Sequence, residues 1–480
     1  MEVYHSDDVL QSYAADRLRQ FIREHQQKGS QALPDFEVFE RELHECLLGL
    51  EQELIAQELA RYDVEAEQIE VGGVVYRQAL TSPETYLSAA GPVKIERHLY
   101  RPAGRGTRSI CPLELRAGLV GGQWPPRAAR QAAFVMAHLT SREGEALFEE
   151  LGGMQPSRST LDRLPKVLSK RWEAHREAWE VALRAPETVP ETAAVLAVSL
   201  DGVLAPMKEG GRGKKRSQPD KQPKGPAGYR EVGCGTVVLY DAEGERLDTV
   251  YYGRMPESKK VTLGQQLEAE CQSVLALRPD LKVVKLSDGA QDNWRLLSEL
   301  DWGVEASARP QEVEIVDFYH ACEHLKRACD AVWGEGHSRG KAEFERLRTL
   351  LKEAEEGVEQ VIRTLQYRAG RARGRRRKRL ETELTYFRNQ RHRMRYAQYL
   401  REHLPIASGV IEAACKTLVT QRLKRSGMAW TQEGGQGILS LRSLIQSGRW
   451  ERAWSLLRAD FCQPVIVVEP KHEVSPSLTM

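Results

Sequence analysis

Apolar side chains recur at helical spacing through residues 1–70: Leu10, Tyr13, Leu18 and Phe21, then Phe39, Leu43, Leu47 and Leu50. The pattern changes over residues 71–101. There Val74-Val75-Tyr76 and Val93-Lys94-Ile95-Glu96-Arg97 stand as short runs between Gly and Pro, and predict short strands. Helical spacing returns over residues 126–175. One helix ends near Leu151 at Gly152-Gly153, and Ser157 or Ser159 is placed to cap the next, which runs through Leu161, Leu164, Val167 and Leu168. Helix, glycine turn and a helix opening on Arg158 and Ser159 fit a helix-turn-helix, although two packed core helices share that pattern.

From residue 193 the pattern becomes α/β. Ala194 to Leu200 is an apolar run ending in Asp201-Gly202. Arg230 to Tyr240 and Arg246 to Gly253 read as two further strands, and Asp241-Ala242-Glu243-Gly244 between them as a hairpin turn. A helix is predicted over 257–276, then a strand from Lys282 to Ser287 ending in Asp288-Gly289. A helix near 291–300 follows, then a strand from Val313 to Val316 ending in Asp317, and a helix opening with Phe318-Tyr319-His320. Three strands, helix, strand, helix, strand, helix is the order of a ribonuclease-H-like fold. A long, charged helical stretch interrupts it over 320–405, helix resumes over 406–446, and a loose tail begins at Pro464. The expected organisation is a helical region at 1–70 and a small β segment with a helix-turn-helix-like DNA-binding region at 71–190. A catalytic domain follows from 191–319 and 406–455, with a basic helical insertion at 320–405 and a tail at 456–480.

Composition adds little. The 480 residues carry a formal charge of +2, so local rather than bulk charge must indicate partners. Eight cysteines are scattered without a CxxC pair, which argues for free thiols in a reducing cytoplasm rather than disulfides or zinc. No apolar run long enough for a membrane span and no signal peptide are visible.

The candidate chemistry lies in the carboxylates. Val198-Ser199-Leu200-Asp201-Gly202 and Lys285-Leu286-Ser287-Asp288-Gly289 each put an Asp at the carboxyl end of an apolar strand, where α/β sheets gather their sites. If the first and fourth strands are neighbours, the two aspartates face one another. Such a pair repels unless a cation bridges it, and hard oxygen ligands suit Mg²⁺ or Mn²⁺. Glu412, in Ser408-Gly409-Val410-Ile411-Glu412-Ala413-Ala414-Cys415-Lys416, is the candidate third ligand because an isolated charge in that apolar surround is costly. Against this, Asp-Gly after a strand is also a common turn, and by residue type Asp292 and Asp317 are rivals.

These blocks, with Asp317-Phe318-Tyr319-His320 and Arg422-Leu423-Lys424-Arg425-Ser426-Gly427-Met428-Ala429-Trp430, resemble those of bacterial insertion-sequence transposases of the DDE class, the ISKra group in particular. The resemblance spans roughly residues 70–455 and is most specific from Glu412 to Trp430. It implies a ribonuclease-H-like catalytic domain with a helical insertion before the third acidic residue, and Asp201, Asp288 and Glu412 as the metal-binding triad. Relatives often carry a zinc knuckle near Tyr100 to Pro112; here Cys111 stands alone, so no zinc is expected. Asp317 and His320 form a D-x-x-H block that resembles a signature of Mutator-type transposases. They are placed to contact DNA or brace the acidic site, or Asp317 is simply a helix cap and His320 a packed polar residue.

Basic clusters indicate where DNA would lie. Arg375, Arg376, Arg377, Lys378 and Arg379 lie within a run from Arg368, followed by Arg388, Arg391, Arg393 and Arg395 with Tyr386, Phe387 and Tyr396 among them. Lys214, Lys215 and Arg216 sit in a Gly- and Pro-rich loop after the Asp201 strand, read either as a clamp or as a disordered loop. Lys416, Arg422 and Lys424 continue a positive face beyond Glu412, and Trp430 is a candidate to stack on a frayed base or to fill core. The expectation is a DNA transposase acting on double-stranded DNA as at least a dimer, cytoplasmic and nucleoid-associated. A nuclease or resolvase without strand transfer, or a non-catalytic DNA-binding derivative, is the alternative.

Overall fold

The computed structural model describes residues 13–27, 35–102, 108–208, 228–305 and 309–468. Leu10, Lys214, Lys215 and Arg216 fall outside the described residues. The chain divides into two compact units, Met1–Trp179 with Glu451–Met480, and Glu180–Trp450.

In the first unit, helices Tyr13–Gln27 and Phe36–Ala60 precede strands β1 (Gln68–Val71), β2 (Val74–Ser88) and β3 (Gly91–Pro102). The strands form an antiparallel sheet that Ile466–Val467 joins along β1, so the expected tail is tied down at that point. β2 and β3 are much longer than the short strands expected, because the prolines read as punctuation lie inside them. Pro83 falls beyond the Val74–Arg77 stretch that pairs with β1, where β2 is a sheet edge and no ladder N–H is needed on that side. Helices Pro126–His138, Ser141–Leu151 and Arg158–Arg184 follow. Ser157, not Ser159, caps the last: its Oγ accepts from Thr160 N at 3.3 Å. The connection from Leu151 to Arg158 is longer than a helix-turn-helix turn of about 3–4 residues, and Leu161, Leu164 and Leu168 are buried.

The second unit is built on strands β4 (Ala193–Pro206), β5 (Tyr229–Asp241), β6 (Arg246–Arg254), β7 (Lys282–Ser287) and β8 (Glu312–Val316). Their order is β6-β5-β4-β7-β8. The first three make an antiparallel meander, while β7 runs parallel to β4 and β8 parallel to β7. Parallel strands must be buried on both faces, and Val195–Leu200 and Val283–Leu286 are buried throughout; of their two polar residues, Ser199 and Lys285, the lysine is paired with Glu312 at 2.6 Å. Helices Val261–Leu277 and Gln291–Glu299 make the crossovers.

One local reading is corrected. Asp201-Gly202 is not a turn: β4 runs on to Pro206, with Asp201 opposite Cys234 and Gly202 opposite Gly233. A Cβ at 202 would lie 2.1 Å from Glu231 Oε1, the end of a half-exposed side chain that would have to move aside. Gly289 does turn, with φ of +101°.

After β8 come helices Phe318–Trp333, Ser338–Glu353, Gly357–Arg371 and Gly374–Gln390. Their buried Leu347, Val361, Leu380 and Phe387 belong to the same apolar core as the sheet. The chain returns through Gly409–Ala414, a π-helical turn at Cys415–Thr420, and Gln432–Gln446. Widening a helix frees carbonyls, and the buried Arg442 collects them, donating to Leu418 O at 3.1 Å and to Thr417 O. Among the described residues no helix is long and apolar enough to cross a membrane.

Candidate functional site

The sheet register brings the aspartates together. Ser199 pairs with Leu286 and Ser287 with Val316, so the same row, two residues on and one residue on, contains Asp201, Asp288 and Asp317. Neighbouring strands lie about 4.8 Å apart, which makes Asp288 the central member of a carboxylate row. Ser287 Oγ shares its one proton between Leu200 O and Asp288 Oδ1, each at 3.2 Å, and so bridges β7 to β4.

Each carboxylate is held differently. Asp201 Oδ1 accepts from Gly202 N at 2.6 Å, and the Cys415 thiol donates to its Oδ2 at 3.5 Å. Asp288 Oδ1 accepts from Ala290 N at 3.0 Å, Ser287 Oγ at 3.2 Å and Asn293 Nδ2 at 3.4 Å. Glu412 Oε1 accepts from Ser408 Oγ at 3.4 Å. Asp288 Oδ2 and Glu412 Oε2 carry no hydrogen bond among the described residues.

Asp317 is fully buried and ties three segments into one knot. Its Oδ1 caps the helix Phe318–Trp333 by accepting from His320 N at 2.5 Å, and its Oδ2 accepts from Ser408 N. Its own N–H donates to Ser287 O at 2.9 Å, and Phe318 N donates to Ile406 O at 2.9 Å. The strand end that carries Asp288 is thereby fastened to the start of the helix that carries Glu412. The D-x-x-H block resolves accordingly: Asp317 is both cap and brace. His320 is half-buried, its Nδ1 3.8 Å from Glu323 Oε2 and its ring set edge-on to His324.

The electrostatics are those of crowded anions. Burial, then the charge of Asp288, raises the Asp201 carboxyl above its ordinary value despite the Gly202 N–H and Lys260. Burial, then Asp317 and Asp201, raises Glu412. A divalent cation would relieve this strain, and the donors are the hard oxygens that Mg²⁺ or Mn²⁺ prefers, so the donor chemistry fits such an ion. As the side chains stand, no group of three His, Cys, Asp or Glu among the described residues is gathered tightly enough to hold a metal. Of the three, Glu412 is the exposed one, on a short helix that passes directly into the π turn.

Several neighbours reach the site through long-range packing that no local pattern signals, Tyr386 among them although it stands within the basic run. Tyr386 donates to Asp288 O at 3.3 Å, stacks on His324 at 3.5 Å and lies against Gly289, where a side chain would collide with it. Gln390 Nε2 donates to Gly289 O at 3.2 Å. Lys260 Nζ donates to Asn293 Oδ1 at 2.8 Å, which joins it to Asp288 through the Asn293 amide, and it pairs with Glu231 at 2.7 Å. Lys259 and Lys260 both have left-handed backbone, φ 54° and 53°, a conformation that side-chain-bearing residues adopt at a cost.

The basic residues sort by burial. Arg375, Arg376, Arg377, Lys378 and Arg379 are all exposed at the start of the helix whose other end holds Gly289. The nine residue steps from Arg377 to Tyr386 span about 13 Å of helix. Phe387 and Tyr396 are buried and Tyr386 is half-buried, so the aromatics interleaved with the arginines are packing residues. Lys416 and Lys424 are exposed. Arg422 corrects the expectation of a DNA contact: it is buried, its guanidinium 5.2 Å over the Trp430 ring. Trp430 is half-buried, its indole N–H donating to Leu423 O at 2.9 Å. Its backbone joins β4, Trp430 N donating to Pro206 O at 2.9 Å and Lys208 N to Trp430 O at 2.7 Å.

No family model and no curated protein matches the chain. Among solved structures, a chain of the Drosophila P element transposase strand transfer complex is similar over 72% of this chain and 84% of that one, at 13% identity and a TM-score of 0.26.

Proposed function

We propose that the protein is a DNA transposase of the DDE class, with a ribonuclease-H-like catalytic domain in its second unit and Asp201, Asp288 and Glu412 as the triad. The observation that carries this reading is the fastening of Glu412 to the aspartate row. Asp201 and Asp288 share one register across β4 and β7, and Asp317 secures the Glu412 helix to the same edge. The sequence blocks that resemble the ISKra group coincide with these contacts.

The three carboxylates would hold Mg²⁺, or Mn²⁺ in its place, which when bound activates an attacking oxygen and stabilises the leaving one at a phosphodiester. Asp201 and Asp288 supply the rigid side of the site from the sheet. Glu412 closes it from its short helix, with Ser408 steering one carboxylate oxygen. The exposed Arg375–Arg379 run would hold the double-stranded DNA backbone about 13 Å along the helix from the Asp288 end. Water as the attacking group gives hydrolysis and a freed 3′-hydroxyl gives strand transfer, so one site serves both. Processing two ends calls for at least two copies of the chain, in the cytoplasm at the nucleoid; no zinc is involved.

The test is Mg²⁺-dependent cleavage and joining of labelled element-end DNA by the parent and by Asp288→Asn. We expect cleavage and joined products from the parent and none from the variant. Equal cleavage by both rejects the site; cleavage without joined products makes the protein a nuclease.

A further inference from the structure

Two buried free thiols lie beside Asp201. Cys234 stands opposite Asp201 in the β4–β5 ladder, and directly opposed side chains point to the same face, their Cβ atoms about 4.5–5.5 Å apart. On that face the Cys415 thiol donates to Asp201 Oδ2 at 3.5 Å. Both cysteines belong to one apolar cluster with Ile411, Ala414 and Leu418 of the Glu412 segment. The two thiols are hydrogen-bonded to each other, and this bond, then burial, push the Cys415 thiol well above its ordinary value. A thiol held in that way reacts slowly, so the pair stays reduced against weak oxidants.

We propose that Cys234 and Cys415 are a modification site: a hydroperoxide joins them as a disulfide, and the disulfide draws Glu412 away from Asp288. The covalent step stands without the DNA-processing reading; its consequence for cleavage rests on that reading. The chemistry balances in two steps. One thiol reduces hydrogen peroxide, breaking its O–O bond, and becomes a sulfenic acid with release of one water. The second sulfur then displaces the sulfenic hydroxyl, which leaves as a second water with the remaining thiol proton. Together the two thiols give up two electrons and one S–S bond forms. A dithiol reverses the change by exchange.

The fold decides which partner moves. Cys234 is fixed, because β5 is paired on both sides in this row, with Asp201 of β4 and Gly253 of β6. Cys415 opens the π-helical turn Cys415–Thr420, where the winding is already irregular. A disulfide holds its sulfurs at about 2.05 Å, well inside hydrogen-bond separation, so Cys415 must travel towards β5. In the sheet β5 lies on the side of β4 away from β7, the strand that leads into Asp288. Glu412 precedes Cys415 by three residues, about one turn of the same helical segment, and is carried with it. The same bond takes from Asp201 Oδ2 the thiol hydrogen that it accepts.

The experiment uses the full chain carrying Cys462→Ser, which removes the exposed thiol and with it cross-linking between copies. This protein is treated with excess hydrogen peroxide, quenched with catalase, alkylated, and digested without reduction for mass spectrometry. The expected product is a pair of peptides joined through Cys234 and Cys415. Mn²⁺ affinity, read by calorimetry, is expected to fall at least about tenfold on oxidation and to recover with dithiothreitol, Mg²⁺-dependent cleavage falling and recovering with it. Adding Cys234→Ser is expected to remove both the joined peptides and the fall in affinity. Absence of the joined peptides before that change, or oxidation that stops at a sulfinic acid on Cys415, overturns the proposal. So does a joined protein whose Mn²⁺ affinity is unaltered, or an equal fall after Cys234→Ser. Untreated protein that binds no Mn²⁺ and cleaves no DNA rejects the triad and the effect on Glu412 together, and the joined peptides then establish or reject the disulfide alone.

Discussion

Replacing Asp317 by Ala removes the acceptor for two N–H groups, those of His320 and Ser408, in a fully buried place. An unsatisfied buried donor costs about 1–3 kcal/mol, so the loss is expected at about 3–5 kcal/mol for the pair. Asp317→Asn keeps one acceptor oxygen but turns an amide N–H₂ against the other donor, and is expected to lose about half as much. The stability loss is read by equilibrium urea unfolding. A second readout separates bracing from bulk stability: at a temperature where Asp317→Asn is fully folded, its cleavage should need a higher Mg²⁺ concentration, because the Ser408 anchor of the Glu412 helix is loosened. Glu412→Gln, whose side chain is exposed, should leave stability within about 0.5 kcal/mol of the parent while abolishing cleavage. A loss below about 1 kcal/mol in Asp317→Ala, with an unchanged Mg²⁺ requirement in Asp317→Asn, would refute the bracing argument.

Arg449 is buried and donates to Glu270 Oε1 at 2.6 Å, to Tyr252 at 3.2 Å and to Glu187. Arg449→Met should cost about 3–5 kcal/mol in unfolding experiments, because the buried Glu270 loses its close cationic partner and keeps only the Tyr252 hydroxyl and Arg184 at 3.8 Å. Burial raises Glu312, but hydrogen bonds from Lys285 and Trp302 outweigh it and hold the carboxyl below its ordinary 4.5. A depressed folded value means that the contribution is present above the unfolded value and lost as pH falls through the folded one. The parent's urea midpoint should therefore fall more steeply below pH 4.5 than that of Glu312→Gln. Replacing Arg375, Arg376, Lys378 and Arg379 together by Gln should flatten the salt dependence of duplex binding, by about 0.9 in log–log slope for each phosphate no longer neutralised, with unchanged thermal unfolding.

The strands of the second unit were legible because mainly apolar runs such as Val195–Leu200 must lie between two layers, and their order followed from the alternation with helices. The neighbouring placement of Asp201 and Asp288 followed from that order. What was not legible depended on partners distant in the chain. Asp201-Gly202 has the composition of a turn, and only its pairing with Cys234 and Gly233 of β5 reveals a continuing strand. The acceptor role of Asp317 towards Ser408 spans 91 positions, and no local pattern encodes it. Arg422 reads like Lys424 in sequence, yet one lies over an indole in the interior and the other, just past the helix end at Leu423, faces solvent. The prolines of β2 and β3 misled for the converse reason: they interrupt a strand only where both of its sides are paired.

The segment that carries Glu412 is moored at two points, at Ser408 by Asp317 and at Trp430 by the last residues of β4. Between these moorings the helical winding alters, so any slack available to the glutamate is stored in a span whose ends stay put. Lengthening or shortening the polypeptide elsewhere, even among the helices that separate Asp317 from Ser408 in sequence, leaves that span and its reach unaltered as long as both knots hold. Such an arrangement lets a lineage remodel the intervening helices, Tyr386 and Gln390 at the Asp288-Gly289 turn excepted, while the carboxylate row keeps its dimensions.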